Sequence, residues 1–331
     1  MTILVTGATG HIGNVLVRKL VQRGERVRAF YWHRENPISL AGIEAELFPG
    51  DILDKSSLQK AIQGVEIIFH LAGVISILPK PGPLIWRVNV EGTRNILELA
   101  QQNHIKRFVY TSTIHALRRL PAGQWIDESV GFDPENPYGE YDRSKAIASF
   151  EVKRAAMQGL DAVILCPTGV IGPYDYFHSD MGRLLKTAAR GQPIVYIDGA
   201  YDFVDVRDVA DGLIAAQEKG KRGESYILSG HKISIRNLIE LVTQITGKPT
   251  LMFKIPLFLA KIAAGISPFF ASIVNFRPRL TPYSIEVLKS NSDIRHQKAT
   301  RELGYRPRPI ADTVADTIKW FLEEQPHPMV S

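Results

Sequence analysis

Two side chains of complementary chemistry, Tyr141 and Lys145, lie four residues apart in a stretch with helical periodicity. Positions i and i+4 share one face of an α-helix, so the phenol and the ammonium would be neighbours. A free tyrosine ionises near pH ~10 and is a poor proton carrier at neutral pH. A nearby cation favours the phenolate, so the pair could give a proton to a carbonyl or take one from an alcohol. Tyr138 lacks this partner, since Asp142 follows it at the same spacing.

A glycine-rich turn, TGATGHIG, occupies residues 6–13 between a β-like run and a helical pattern. Gly7 permits a tight turn, Gly10 lets the backbone approach a pyrophosphate, and Gly13 permits close packing of helix on strand. The following helix N-terminus offers free N–H groups and partial positive charge to phosphates. The turn lies at the start of a region in which strands and helices alternate. This position favours a dinucleotide-binding site over an ordinary glycine turn.

Short β-like runs alternate with amphipathic helical stretches over residues 1–170. This pattern predicts a parallel sheet covered by helices on both faces, and right-handed crossovers make it doubly wound. We therefore expect an α/β fold with a Rossmann-type domain over 1–170, returns to the sheet near 203–228, and a smaller, mostly helical substrate-binding lobe interleaved over 171–325. The expected strands are 2–6, 26–31, 45–49, 66–70, 106–111, 161–167, 193–197 and 225–228.

The composition is that of a globular protein, because 45% of the 331 residues are hydrophobic and 22% are charged. The net charge of +6 is scattered along the chain, so nucleic-acid binding is not indicated. One cysteine, Cys166, excludes an intrachain disulfide and favours a reducing compartment, which we expect to be the cytoplasm. No cluster of cysteines and histidines has metal-site spacing, so we expect no metal.

The Gly-x-x-Gly-x-x-Gly spacing, the Tyr141–Lys145 pair and the segments CPTGVIGP (166–173) and FVDVRDVADG (203–212) resemble the extended short-chain dehydrogenase/reductase superfamily, which includes the NAD-dependent epimerases and dehydratases. The resemblance covers nearly the whole chain and is strongest to the dihydroflavonol reductase and 3β-hydroxysteroid dehydrogenase group. It implies that Tyr141 is the acid/base and that Lys145 tunes it and holds the nicotinamide ribose. The implied cofactor-binding residues are Gly7, Thr9, Gly10, His11, Ile12, Gly13, Arg34, Asp51, Ile52, Leu71, Ala72, Gly73, Asn89, Thr111, Tyr141, Lys145, Pro167 and Val170.

The resemblance also implies a third catalytic group, a hydroxyl at the end of the fifth strand. The segment FVYTST (108–113) aligned on the superfamily pattern puts this group at Thr113, with Ser112 as the nearest rival. The hydroxyl would orient the substrate oxygen and share its proton with Tyr141.

The end of the second predicted strand bears on the choice of cofactor. A carboxylate there would hold the adenosine ribose and repel a 2′-phosphate. Tyr31 and Trp32 occupy the position, and His33 and Arg34 follow. Arg34 could clamp a phosphate, which favours NADP(H). NAD(H) stays possible, because Arg34 could equally belong to a solvated turn.

Departures from the superfamily pattern reduce the number of reaction types that we expect of this chain. Ile114 and His115 follow Thr113 where the dehydratases have Asp-Glu, and Leu117 and Arg118 stand where sugar epimerases usually have Tyr-Gly. We expect an oxidoreductase that interconverts a carbonyl and an alcohol by hydride transfer. An NAD-dependent nucleotide-sugar epimerase is the alternative, and a non-catalytic cofactor-binding regulator is a third reading. His115 could contact substrate, relay protons or have no chemical role.

The longest apolar stretch, residues 255–276, contains Phe258, Phe269, Phe270 and Phe276. It makes an apolar small-molecule substrate plausible, although the aromatic residues could equally pack the lobe. Lys261 and two prolines interrupt the stretch, so membrane contact is possible but spanning is not expected. The superfamily resemblance adds the expectation of a homodimer.

Overall fold

The computed structural model describes residues 1–76, 82–261 and 282–323, and its centre is a seven-stranded parallel sheet. The strand order is β10-β6-β5-β4-β1-β2-β3. Strands β2 and β3 follow β1 outward on one side of the sheet. Strand β4 lies on the other side of β1. The carboxyl ends of β1 and β4 therefore flank the point where the winding direction reverses, which is where doubly wound sheets bind ligands. The strands are β1 (Thr2–Thr6), β2 (Arg26–Trp32), β3 (Glu46–Gly50), β4 (Ile67–His70), β5 (Arg107–Thr111), β6 (Ala162–Pro167) and β10 (Ser225–Leu228).

Helices cover both faces of this sheet. Leu58, Ile96 and Val152 pack under one face, from helices α2 (Lys55–Ala61), α4 (Thr93–Gln102) and α5 (Glu140–Met157). On the other face lie α1 (His11–Gln22), α7 (Val206–Lys219) and α10 (Gln297–Leu303), with Leu16, Leu213 and Leu303 buried against the strands. A short helix α3 (Leu84–Trp86) and a wider π-helical turn (Arg87–Gly92) precede α4.

A second core lies outside the main sheet. Strands β7 (Gly169–Ile171), β9 (Ala200–Asp205) and β11 (His231–Ser234) form a three-stranded sheet, and β8 (Ile194–Tyr196) pairs with β12 (Met252–Lys254). These strands pack with helices α6 (Asp180–Ala189), α8 (Ile235–Thr246) and α11 (Ile310–Glu323) around residues such as Leu185, Leu238 and Ile318. Helix α9 (Pro282–Lys289) lies against β9.

The structure confirms the expected fold class and places the eight expected strands within one residue of their predicted bounds. The division into lobes at residue 170 stays a prediction. The helix expected over 88–102 differs at its start, because its first turn is the wider π-helical one, and wider turns of this kind are frequent at functional sites. No helix among the described residues is long and apolar enough to cross a membrane. Residues 262–276 of the apolar stretch, with Phe269, Phe270 and Phe276, lie outside the described part of the chain.

Candidate active site

An open cleft lies at the carboxyl ends of β1 and β4. Eight of the cofactor-binding residues expected from the sequence line it, and they come from the glycine loop and from the loops after β3 and β4. They are Gly7, Thr9, Gly10, Asp51, Ile52, Leu71, Ala72 and Gly73. The cleft is thus built mainly from loops that follow neighbouring parallel strands.

The glycine loop needs two of its glycines for steric reasons. Gly7 has φ +69°, and a Cβ there would lie 2.7 Å from the backbone nitrogen of Ala72. A Cβ on Gly13 would lie 2.1 Å from the Gly7 carbonyl oxygen. Side chains at these positions would push the loop away from β4 or from α1.

The N-terminus of α1 is left open to an anion. Gly10 is its N-cap residue and gives no side-chain hydrogen bond. By contrast, Asp54, Ser179 and Asp205 cap α2, α6 and α7 with their own side-chain oxygens. The first N–H groups of α1 are therefore available to phosphate oxygens.

Nine further residues line the cleft, and none of them is among the cofactor-binding residues expected from the sequence: Phe30, Trp32, Glu35, Gly50, Leu53, Val74, Leu84, Val88 and Phe177. Trp32 is one of the two residues at the end-of-strand position that bears on cofactor choice, and Glu35 lies three residues after it. Phe177 comes from a distant loop, and nothing in the local sequence indicates it.

The end of β2 carries opposite charges close together. Glu35 lines the cleft, and its carboxylate accepts a 2.6 Å hydrogen bond from the Thr9 hydroxyl. Arg34 does not line the cleft in this structure. It is exposed, and its guanidinium lies 5.8 Å from the centre of the Trp32 ring.

The other expected cofactor-binding residues surround the cleft without lining it. The His11 ring hydrogen-bonds the Pro173 carbonyl at 3.0 Å, and Ile12 packs on the sheet core. Asn89 lies in the π-helical turn, where its amide hydrogen-bonds both backbone groups of Val74. Pro167 ends β6, and Val170 lies in β7 beside the same core.

The three expected catalytic residues meet where β5 ends against α5. Lys145 is 5% exposed, and its ammonium donates a 2.7 Å hydrogen bond to the Thr111 carbonyl at the end of β5. Thr113 follows two residues later, its hydroxyl accepts a 3.3 Å hydrogen bond from the His115 N–H, and it lowers the pKa of the Tyr141 phenol. The i, i+4 spacing on α5 and the end of β5 thus bring the three side chains together.

Ser112, the rival of Thr113, makes a different set of contacts. Its hydroxyl lies 2.7 Å from that of Ser149, which donates a 2.8 Å hydrogen bond to the Lys145 carbonyl. Ser112 is buried and ties β5 to α5. This geometry gives Ser112 a structural contact, whereas the Thr113 hydroxyl acts on the pKa of Tyr141.

The surroundings of this site disfavour the charged forms of both Lys145 and Tyr141. Burial lowers the pKa of the Lys145 ammonium to about 7. Loss of water around the Tyr141 phenol raises its pKa, the Asp142 carboxylate raises it further, and the Thr113 hydroxyl lowers it. A bound cation would therefore have a large influence on the protonation of Tyr141.

A polar network adjoins Tyr141, and most of its members were not identified from sequence. Arg119 donates a 3.0 Å hydrogen bond to Asp142, and the Tyr283 hydroxyl donates one of 2.5 Å. His115, whose role the sequence left open, hydrogen-bonds the Tyr201 hydroxyl. These residues come from four separate segments, so no single motif could have predicted their meeting.

The residues present fit a nicotinamide dinucleotide. The glycine cradle and the open α1 N-terminus suit a pyrophosphate. Toward the catalytic residues, the Thr111 hydroxyl oxygen is buried and has no hydrogen-bond partner in the described part of the chain. This oxygen is free to accept a hydrogen bond from a ligand or to donate one to it.

Comparison with known proteins gives concordant findings. Residues 3–229 match the model of the NAD dependent epimerase/dehydratase family. The chain is 35% identical to the sterol demethylase protein B of Methylococcus capsulatus, with 98% of this chain and 99% of the relative covered. It is 34% identical to a protein of Synechocystis sp. described as a candidate dihydroflavonol 4-reductase, over 96% and 93% of the two chains.

Among solved structures, the crystal structure of gox2253 is similar with a TM-score of 0.82 and 34% identity, covering 97% of this chain and 98% of that one. The agreement of motif, sheet order and whole-length similarity identifies the family. The chain belongs to the NAD-dependent epimerase/dehydratase family of the extended short-chain dehydrogenase/reductase superfamily.

Proposed function

We propose that the chain is an NADP(H)-preferring oxidoreductase that interconverts a carbonyl and an alcohol on an apolar small molecule. The observation that carries the proposal is the meeting of Thr113, Tyr141 and Lys145 beside the glycine-loop cleft. Two further findings support it: the relatives are named for sterol and dihydroflavonol chemistry, and the Tyr–Lys pair is intact, which argues against a non-catalytic regulator.

In this proposal each residue has a distinct task. A bound nicotinamide dinucleotide would supply or accept the hydride. Thr113 hydrogen-bonds the substrate oxygen and orients it toward Tyr141. Tyr141 gives its proton to that oxygen in reduction and takes one from it in oxidation. Lys145 holds the nicotinamide ribose and, when charged, favours the Tyr141 phenolate.

The cleft residues would divide the remaining dinucleotide among them. The loop around Gly7 and Gly10 and the N-terminus of α1 would hold the pyrophosphate, and Asp51 and Ile52 the adenine end. Arg34 would reach an adenosine 2′-phosphate, which is the basis for preferring NADP(H). Glu35 acts against this preference, because a carboxylate near the same position repels a phosphate.

The first test is the substitution Tyr141→Phe, which removes one oxygen and keeps the ring. We expect NADPH affinity to stay within about twofold, and turnover of a panel of apolar ketones to fall by about 100-fold to 10,000-fold. Fluorescence titration with NADPH and steady-state rates give the two readings. Turnover that survives the substitution would refute the assignment of Tyr141.

A second measurement separates the proposal from the nucleotide-sugar epimerase. Native mass spectrometry of the purified protein, with titrations of NADPH, NADH and UDP-glucose, reports which ligand is held. Exchangeable NADPH without UDP-glucose binding supports the oxidoreductase. Copurified NAD⁺ together with UDP-glucose binding would establish the epimerase instead.

A further inference from the structure

A large apolar side chain from outside the main sheet reaches the cofactor cleft. Phe177 lines the cleft and is 54% exposed. It lies in the loop of residues 172–179, which joins β7 to α6 in the second core. A phenyl ring in a ligand cleft is removed from water when a ligand packs on it, and this burial favours binding. The ring can contribute to binding in this way only if its loop is held in position.

Helix α1 fastens this loop through three side chains. His11, Asn14 and Arg18 are spaced by three and four residues, so they lie along one face of the helix. The His11 ring hydrogen-bonds the Pro173 carbonyl at 3.0 Å, and the Asn14 amide donates a 3.2 Å hydrogen bond to the Tyr174 carbonyl. The Arg18 guanidinium lies 4.9 Å from the centre of the Tyr174 ring. The helix that presents its N-terminus to the cleft therefore also holds the loop.

The middle of the loop has further contacts with the body of the protein. The Tyr176 hydroxyl accepts a 3.2 Å hydrogen bond from Arg18, and its ring packs edge-on against Trp320 of α11, with ring centres 5.3 Å apart. The carboxylate of Asp175 is buried and accepts hydrogen bonds from the Ser179 N–H and hydroxyl, of 2.9 Å and 2.7 Å. These residues are packed within the protein, whereas the next side chain along, that of Phe177, lines the cleft.

The backbone on both sides of Phe177 has an unusual conformation. Tyr174 has φ +67° and His178 has φ +49°. Both values lie in the left-handed region, which residues with a Cβ rarely adopt. Such conformations persist where surrounding contacts impose them, and they are frequent at ligand sites. The loop is thus held in a conformation that its residues do not prefer, and in that conformation Phe177 lines the cleft.

We infer that Phe177 is a further cofactor-binding residue, whose ring packs on the dinucleotide held by the glycine loop, and that the contacts with α1 keep its loop in place. The inference rests on the proposed function, because it takes the cleft as the dinucleotide site. It adds to that site a wall contributed by the second core. A dinucleotide in contact with Phe177 must break this contact to leave, so we expect the residue to act mainly on the dissociation rate.

The test is Phe177→Ala in the full chain, read by stopped-flow displacement of bound NADPH, and separately of NADH, with an excess of the oxidised dinucleotide. The fluorescence of the reduced nicotinamide reports dissociation. We expect both dissociation rates to rise by about tenfold, because the dinucleotide loses an apolar contact. Phe177→Tyr keeps the ring and should keep both rates within about twofold of those of the unsubstituted protein.

The matched control is Phe253→Ala. Phe253 is also 54% exposed, but it lies in β12 and does not line the cleft. Its removal should leave both dissociation rates unchanged. Tyr176→Phe tests the fastening of the loop, because it removes the hydroxyl that accepts from Arg18 and keeps the ring beside Trp320. We expect it to raise the dissociation rates by about twofold to threefold.

Unchanged dissociation rates in Phe177→Ala would overturn the inference, and so would an equal rise in Phe177→Ala and Phe253→Ala. A higher KM for an apolar ketone, with dinucleotide dissociation unchanged, would place Phe177 in the substrate site instead. Failure of the proposed function is separate. It appears as full turnover in Tyr141→Phe, whereas dissociation of the dinucleotide is measured without substrate.

Discussion

The glycine-loop end of the cleft and the Tyr141 end are built in different ways. At the glycine-loop end, backbone groups of three strand-to-helix loops form the site, and steric room at Gly7 and Gly13 determines its shape. At the Tyr141 end, side chains from α5, β9, α9 and the segment after β5 form hydrogen bonds with one another, and Lys145 donates to a backbone carbonyl of β5. The glycine-loop end would bind the pyrophosphate, which all dinucleotides contain. The Tyr141 end would contact the substrate, which varies from one reaction to another.

This difference explains how mutations should act at the two ends. A backbone cradle has few ways to adjust, so one added methyl group should affect cofactor binding and stability together. A side-chain network can lose a single hydroxyl and keep its shape, so the effect should fall on turnover. Substitutions at each end test this expectation.

The largest effect on cofactor binding should come from Gly13→Ala. Its Cβ would lie 2.1 Å from the Gly7 carbonyl oxygen and 3.0 Å from Ala8 backbone atoms, none of which can rotate away. Overpacking of this kind costs about 1–3 kcal/mol. We expect stability to fall by about that amount in urea unfolding and NADPH affinity to fall by up to about 150-fold.

Gly24→Ala is the matched control, because it also adds a methyl group beside α1 but meets nothing within 4 Å. Its positive φ of +79° should cost about 1 kcal/mol of stability, with no loss of NADPH affinity. If both variants bound NADPH equally well, the cradle would not depend on the contact between Gly13 and Gly7.

The two ends also differ in how far the sequence predicts them. The glycine spacing, the alternation of strands and the i, i+4 pair are local patterns, and they predicted the sheet and placed Tyr141 beside Lys145. The network did not follow from sequence, because Arg119, Tyr201 and Tyr283 reach Asp142 and His115 only through tertiary folding. Phe177 was missed for the same reason: it reaches the cleft from a loop more than 100 residues beyond the glycine turn.

The second effect should come from Thr113→Val, which replaces a hydroxyl with a methyl group of similar size. In the proposed function the Thr113 hydroxyl orients the substrate oxygen, so the variant would remove that hydrogen bond. We expect kcat on an apolar ketone to fall by about 100-fold, with NADPH affinity unchanged. Ser112→Ala is the matched control, because its hydroxyl contacts Ser149 inside the protein. It should lose stability of about 1 kcal/mol and little turnover. The reverse pattern would assign the catalytic hydroxyl to Ser112.

The smallest effect should come from the charged residues at the end of β2, which belong to the glycine-loop end. Substituting them one at a time measures how each charge contributes to cofactor preference. Glu35→Gln keeps an oxygen that can accept the Thr9 hydrogen bond and removes only the negative charge. If an adenosine 2′-phosphate binds near this position, losing the repulsion should raise the NADPH-to-NADH affinity ratio by about fivefold to tenfold. Arg34→Ala should move the ratio in the opposite direction, although Arg34 starts out exposed.

Paired fluorescence titrations of both dinucleotides give this ratio, and they should be repeated at two salt concentrations. Both side chains are exposed, so a charge effect must shrink as ionic strength rises. If neither substitution changed the NADPH-to-NADH affinity ratio at low salt, the 2′ position of the ribose would lie away from Arg34 and Glu35. The preference for NADP(H) would then lose its basis in this turn, while the roles proposed for Thr113, Tyr141 and Lys145 would be unaffected.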